Sequence, residues 1–170
     1  MRSKAKEIRQ ILDIPVRRLP APRILITMDL GEEEYIDGPG PVLDLFARHQ
    51  VPLTLFVNNR SMSGGDNRRL ITGIESFFNG NGIPLEIASH SIDHQDLRSI
   101  GLPGVAAKVE ESLREFRDWG IPVRGFRAPY LGIEGFYQDL LAHITENGGS
   151  LSYDSSLFLK PIWSHPSFMH

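Results

Sequence analysis

Pro84-Leu85-Glu86-Ile87-Ala88-Ser89-His90-Ser91-Ile92-Asp93-His94 decides how the rest of the chain is read. A proline precedes its short apolar run and polar residues follow it, which gives the run the length of a buried strand rather than a helix. The strand predicted over Pro84 to Ala88 leads to His90, and a second histidine follows four positions later. Neutral imidazole binds zinc and similar borderline ions well. A spacing of four on a helical turn puts both rings on one side, where they can converge on one ion. A lone histidine at a strand end is more often a cap. A pair at this spacing favours a metal site.

The segments on either side give this strand its context. Upstream, Arg23 to Asp29 is nearly all apolar and predicts a strand buried on both faces of a parallel sheet. Pro41 to His49 predicts a helix with Val42, Leu45 and Phe46 inward, followed by a second buried strand over Leu53 to Val57 and a helix over Asn67 to Phe78. Downstream, Val105, Val109, Leu113 and Phe116 mark one face of a helix over Leu102 to Trp119, which Gly120 stops. A fourth strand over Val123 to Phe126, a helix over Ile133 to Asn147 and a fifth strand over Ser150 to Tyr153 follow. At the front, Lys4 to Leu12 predicts a short amphipathic helix, and Pro15, Pro20 and Pro22 then enforce an extended path. There is no internal repeat and no low-complexity segment. Strands that alternate with helices predict parallel βαβ units and an α/β fold.

Composition narrows the function. The 170 residues suit one domain, with 1–22 as an N-terminal helix and extended lead-in and 23–170 as the domain itself. A formal net charge of -3 with mixed signs leaves no basic footprint for nucleic acid. The absence of cysteine excludes disulfides, thiolate metal sites and cysteine nucleophiles. No run approaches the roughly 18 apolar residues of a membrane span. The basic N-terminus has no apolar stretch behind it, so a signal peptide is not expected and a cytoplasmic location is.

In parallel α/β folds the ligand site lies at the carboxyl ends of the strands. Asp29, Asn58, His90, Arg127 and Asp154 all fall at or just past predicted strand ends, so five polar residues are expected on one rim. Catalytic zinc takes three protein ligands and leaves one position for water, and Asp29 and Glu32 are the candidates to join His90 and His94. Asp29 near a cation would stay ionised and could accept a proton from water; otherwise it is an ordinary turn or N-cap aspartate. Arg127 would seek a carboxylate, with Asp29 in range, or else would lie over the core edge. Pro129 fixes the backbone ahead of Tyr130, where main-chain donors could serve an oxyanion.

Together these segments resemble the polysaccharide deacetylase (NodB-homology) family, also called carbohydrate esterase family four. His90-Ser91-Ile92-Asp93-His94 matches its H-[ST]-x-x-H motif and Arg127-Ala128-Pro129-Tyr130 its R-x-P-Y motif. Val51 to Val57 is similar to its second strand, and Asp154-Ser155-Ser156-Leu157 to its fourth motif. The resemblance implies an α/β fold, a distorted (β/α) barrel of the polysaccharide deacetylase type, C-terminally incomplete here. It implies metal-assisted removal of acetyl groups from N-acetylated sugars or polysaccharides, with a divalent ion, often zinc, on His90 and His94. Asp29 is then the general base, Arg127 orients it, the Tyr130 backbone binds the oxyanion, and Asp154 tunes a catalytic histidine. In the first motif Thr27-Met28-Asp29-Leu30-Gly31 carries Leu30 where the family has a second aspartate, its third metal ligand, so that either Glu32 takes its place, or Asp29 becomes a ligand, or the metal is held poorly. The family's last motif, L-x-H, would lie beyond His170, so low activity is expected of this chain by itself. Two alternatives keep the fold: an allantoinase-like amide hydrolase acting on a small amide, and a degenerate domain that binds carbohydrate without catalysis.

Overall fold

Five parallel strands, ordered in space as they are in sequence, form the frame: β1 (Thr27–Asp29), β2 (Leu53–Val57), β3 (Leu85–Ser89), β4 (Gly125–Phe126) and β5 (Tyr153–Asp154). The computed structural model describes residues 25–30, 40–60, 66–133, 137–146 and 151–156. The expected helix at Lys4 to Leu12, the extended lead-in, Glu32 and the segment beyond Ser156 lie outside them. Between the strands run helices α1 (Pro41–Arg48), α2 (Arg68–Gly80), α3 (Gly101–Asp118) and α4 (Tyr137–Glu146). A sheet wound in one direction with a helix after each of its first four strands is the wall of a (β/α) barrel, here an open half-barrel among the described residues.

Strand alternation sorts the side chains onto two faces. Leu53, Leu55, Val57, Ile87 and Phe126 pack under the helices with Ile71, Ile74 and Phe78 of α2, Val105, Val109, Leu113 and Phe116 of α3, and Leu140 and Ile144 of α4. The α3 stripe is the one expected from its spacing. On the concave face stand Thr54 and Phe56, paired in register with Glu86 and Ala88. Thr54 Oγ1 donates to Glu86 Oε2 at 3.0 Å, and the Tyr153 hydroxyl reaches the same carboxylate from β5. To get there the phenol passes over Gly125, where a Cβ would fall 2.1 Å from the ring. Burial, and then Glu86, raise the Tyr153 pKa.

Two expectations need correction. The first strand is not buried on both faces: among the described residues the paired stretch is Thr27–Asp29, half-buried at the edge of the described sheet. In α1 Leu43 is fully buried and Phe46 packs against the core as expected, whereas Val42 and Leu45 are 44% and 55% exposed. The helix begins at Pro41 and turns its inward face one position away from the one the apolar spacing suggested.

The structure also shows a local recurrence that the sequence, read for long repeats, does not. After α1, α2 and α3 the chain runs Gln50-Val51-Pro52, Gly82-Ile83-Pro84 and Gly120-Ile121-Pro122. The first residue of each triplet has positive φ (54°, 68° and 79°). The next donates its N–H to a carbonyl five residues back: Val51 to Phe46, Ile83 to Phe78 and Ile121 to Phe116. This is the Schellman closure of a helix, and the proline behind it stops the helix and opens the next strand. The same turn used three times delivers β2, β3 and β4 to the sheet in parallel.

Candidate active site

The site lies one residue past the strands, where the ladder continues into the loops. Leu30 N donates to Phe56 O (2.9 Å), His90 N to Val57 O (2.8 Å), Arg127 N to Ser89 O (2.9 Å) and Ser155 N to Phe126 O (2.8 Å). The sheet's own hydrogen bonds therefore fix the backbone of the rim. Four of the five residues expected there meet through side chain or backbone, and the fifth sits slightly apart.

Arg127 is the hub. Its Nη1 donates to Asp29 Oδ1 at 2.6 Å, and its Nη2 to Thr27 Oγ1 at 3.0 Å and Ser155 Oγ at 2.9 Å. The guanidinium lies 4.0 Å above the Phe56 ring, a cation–π geometry. Arg127 is thus no loose cation over the core edge; it holds the carboxylate at the end of β1 from the far side of the half-barrel.

His90 is buried, and its Nδ1 lies 2.7 Å from the Arg127 backbone oxygen. A carbonyl only accepts, so Nδ1 carries the hydrogen and Nε2 of the neutral ring keeps its lone pair. Burial pulls the His90 pKa below the usual histidine range, against the Asp29 charge and the Arg127 carbonyl bond, which raise it. The ring is therefore neutral near pH 7. His94 places its ring centroid 5.1 Å from that of His90 and 5.0 Å from that of Tyr130, edge-on to the latter. Tyr130 has a φ of 56° and is well exposed. The turn around it is closed by Leu131 N donating to Ala128 O at 3.0 Å.

These positions test the donor set for a divalent ion. A ligating histidine usually donates its other N–H to a carbonyl or carboxylate, as His90 does to Arg127 O. The two histidines fit as a pair. Among the described residues no third His, Asp or Glu completes a group with them. Leu30 is buried in the core cluster, Asp29 is taken up by Arg127, and Glu32 lies outside the described residues.

Asp154 departs most from expectation. Register pairs it with Phe126, on the face opposite Arg127, so Ser155 rather than Asp154 reaches the guanidinium. Asp154 Oδ1 accepts from Ser156 N at 2.6 Å, and Oδ2 is sealed from solvent with no partner among the described residues. Ser156 Oγ in turn accepts from Ala128 N at 2.7 Å, which ties β5 to the Arg127 loop. Burial lifts the Asp154 carboxyl from 3.8 to about 6. A raised acid pKa means the folded state holds this proton more tightly than the unfolded chain does. The group's contribution to stability therefore falls as pH rises from about 4 to about 6 and is constant outside that window. The fall is on the order of 3 kcal/mol. In thermal denaturation across that range, Asp154→Asn should lose this slope; an identical slope in both proteins would refute the assignment.

Thr27, Ser155, Ser156 and Asn59 escaped the sequence reading. Alternation from Arg127 and its β5 neighbour would have found Ser155, whereas Asn59 carries no motif signal.

The family model for polysaccharide deacetylase matches residues 17–149. The chain belongs to the polysaccharide deacetylase family. A chitooligosaccharide deacetylase of Sinorhizobium fredii is 30% identical over 169 residues, which is 95% of this chain and 69% of that protein. Among solved structures, a Streptococcus pyogenes deacetylase in complex with acetate superposes with a TM-score of 0.58 at 12% identity, covering 84% of this chain and 60% of that one. A carbohydrate esterase family 4 pseudoenzyme from Bacillus anthracis gives a TM-score of 0.54 at 16% identity, covering 75% of this chain and 41% of its own. These two share the fold, and the chain spans about half the length of such solved relatives. The family match spans Asp29, His90, His94, Arg127 and Tyr130, the residues on which the resemblance in sequence rested.

Proposed function

We propose that the rim hydrolyses the N-acetyl group of an N-acetylated amino sugar or its oligomer, a carbon–nitrogen bond outside peptides. The observation that carries the reading is the Asp29–Arg127 pair, 2.6 Å apart, converging with the His90–His94 pair on one rim. We assign a divalent ion, zinc first, to the free Nε2 of His90 and to His94, with Glu32 as third ligand. Such an ion, when bound, would polarise the acetyl carbonyl and acidify a water.

The chain's own residues do the rest. Asp29, with one oxygen held by Arg127, keeps its other oxygen to accept a proton from the attacking water. Arg127, anchored by Thr27 and Ser155, aims that carboxylate. The Tyr130 N–H, in its proline-fixed turn, is our assignment for the oxyanion donor.

Leu30 favours a second reading. With an apolar side chain at the family's second aspartate, the rim could bind carbohydrate without turning it over. Acetate release from N-acetylated chito-oligosaccharides, followed with added zinc, separates the two. The hydrolase reading expects release that Asp29→Asn lowers by about 100-fold or more, the usual worth of a general base. Oligosaccharide binding with no release from either protein would contradict it and leave the binding domain.

A further inference from the structure

The histidine loop turns through backbone conformations it does not favour by itself. Ser91 has a φ of 72° and His94 one of 42°, both left-handed and neither a glycine. Consecutive carbonyls of this buried turn point away from any ladder and are met from outside. Asn58, just past β2, donates its Nδ2 to His90 O at 2.6 Å and approaches Ser91 O at 3.4 Å. Arg60 N donates to Ile92 O at 2.9 Å. Lys108 Nζ on α3 pairs with Asp93 at 2.7 Å. One side-chain amide thus serves two of the carbonyls between the histidines.

A second layer lies beneath. Ser91 N donates to Ser89 Oγ at 3.1 Å, Ser89 Oγ is 2.8 Å from Ser112 Oγ on α3, and Ser112 Oγ donates to Asn59 Oδ1. An amide N–H can only donate and a side-chain carbonyl can only accept, so the order of the chain is fixed: each hydroxyl accepts from the loop side and donates toward Asn59. Asn59 Nδ2 closes the network on Ser112 O at 3.2 Å. Asn67 holds this asparagine pair in place, through Nδ2 to Asn58 O (3.0 Å) and N to Asn59 O (2.7 Å). Asn58, Asn59, Ser89, Ser91 and Ser112 are all buried.

We infer that Asn58 is the positioning residue of the His90–His94 loop, with Asn59 and Ser112 as its anchor to α3. Its side chain touches no reacting group. It fixes the turn that sets where both imidazoles stand. The inference rests on the proposed role of the two histidines, so its test separates the two questions.

Amide hydrogen exchange in Asn58→Ala and Asn58→Asp, the latter keeping the shape and losing the donor, reads the loop with no metal added. The His90, Ser91 and Arg60 amides, all hydrogen-bonded at this turn, should exchange at least about ten times faster than in the parent, while the interior amides of α3 keep their rates. Unchanged loop rates, or a rise shared equally by α3, would overturn the assignment. Zinc titration of the same proteins then asks about the histidines. If the parent binds zinc, Asn58→Ala should weaken it by about 10- to 100-fold, the scale of an orienting partner's loss. If the parent binds none, the metal reading fails and the exchange data still decide Asn58.

Discussion

Arg127→Met should destabilise the protein by about 2–3 kcal/mol and lower Tm by roughly 5–10 °C. Methionine keeps the volume and the contact with Phe56 but ends three charge-assisted bonds at once, to Asp29, Thr27 and Ser155. Removing one partner of a fully buried ion pair costs about 3–5 kcal/mol. The Arg127 side chain is 15% exposed but Asp29 is 44% exposed, so water recovers part of that cost and the lower figure is expected. Because the guanidinium links β1 to β4 and β5, the loss should fall on the cohesion of the half-barrel. Arg127→Lys keeps the charge but not the fork, since one ammonium cannot reach Asp29 with one nitrogen and both hydroxyls with another. It should recover less than half of the stability. Thermal denaturation of the two variants beside the parent checks this; a Tm unchanged by Arg127→Met would show that the pair holds nothing together.

Much of this arrangement was legible in the sequence. Apolar runs between helical stretches gave all five strands in order, because buried parallel strands carry a near-continuous apolar signal. The α3 stripe was clear for the same reason, since a long helix packed on a sheet must keep its period. Where burial was partial the signal failed. The first strand read as fully buried because Leu25 and Ile26, just before β1, are apolar; both are exposed, which composition alone does not reveal. In α1, eight residues offer about two turns, too few to separate Leu43 from its apolar neighbours. Strand ends placed Asp29, His90 and Arg127 on one rim, since ladder bonds run on past the strands. Asp154 was expected on the same rim, but the bond from Ser155 N to Phe126 O and the alternation behind it turn its side chain to the other face and leave Ser155 to meet Arg127. Of the asparagine pair past β2, Asn58 was placed on the rim but its role was not legible, and Asn59 was missed altogether, because their work is done largely on carbonyls, which carry no residue identity.

The second large effect concerns the histidines. His90 donates from Nδ1 to a backbone oxygen and keeps Nε2 free, and burial keeps the ring neutral. Both are what ligation requires, because a protonated ring has no lone pair to give. His90→Ala should therefore weaken zinc binding by more than about 100-fold, beyond what the loss of an orienting neighbour does. His94→Ala should match it, since two ligands of one ion fail together. The most direct measurement is a zinc titration by calorimetry of the parent, His90→Ala and His94→Ala at pH 7. One ion per chain in the parent, lost in both variants, is the predicted result; no zinc bound by the parent, or binding that survives either substitution, would contradict it.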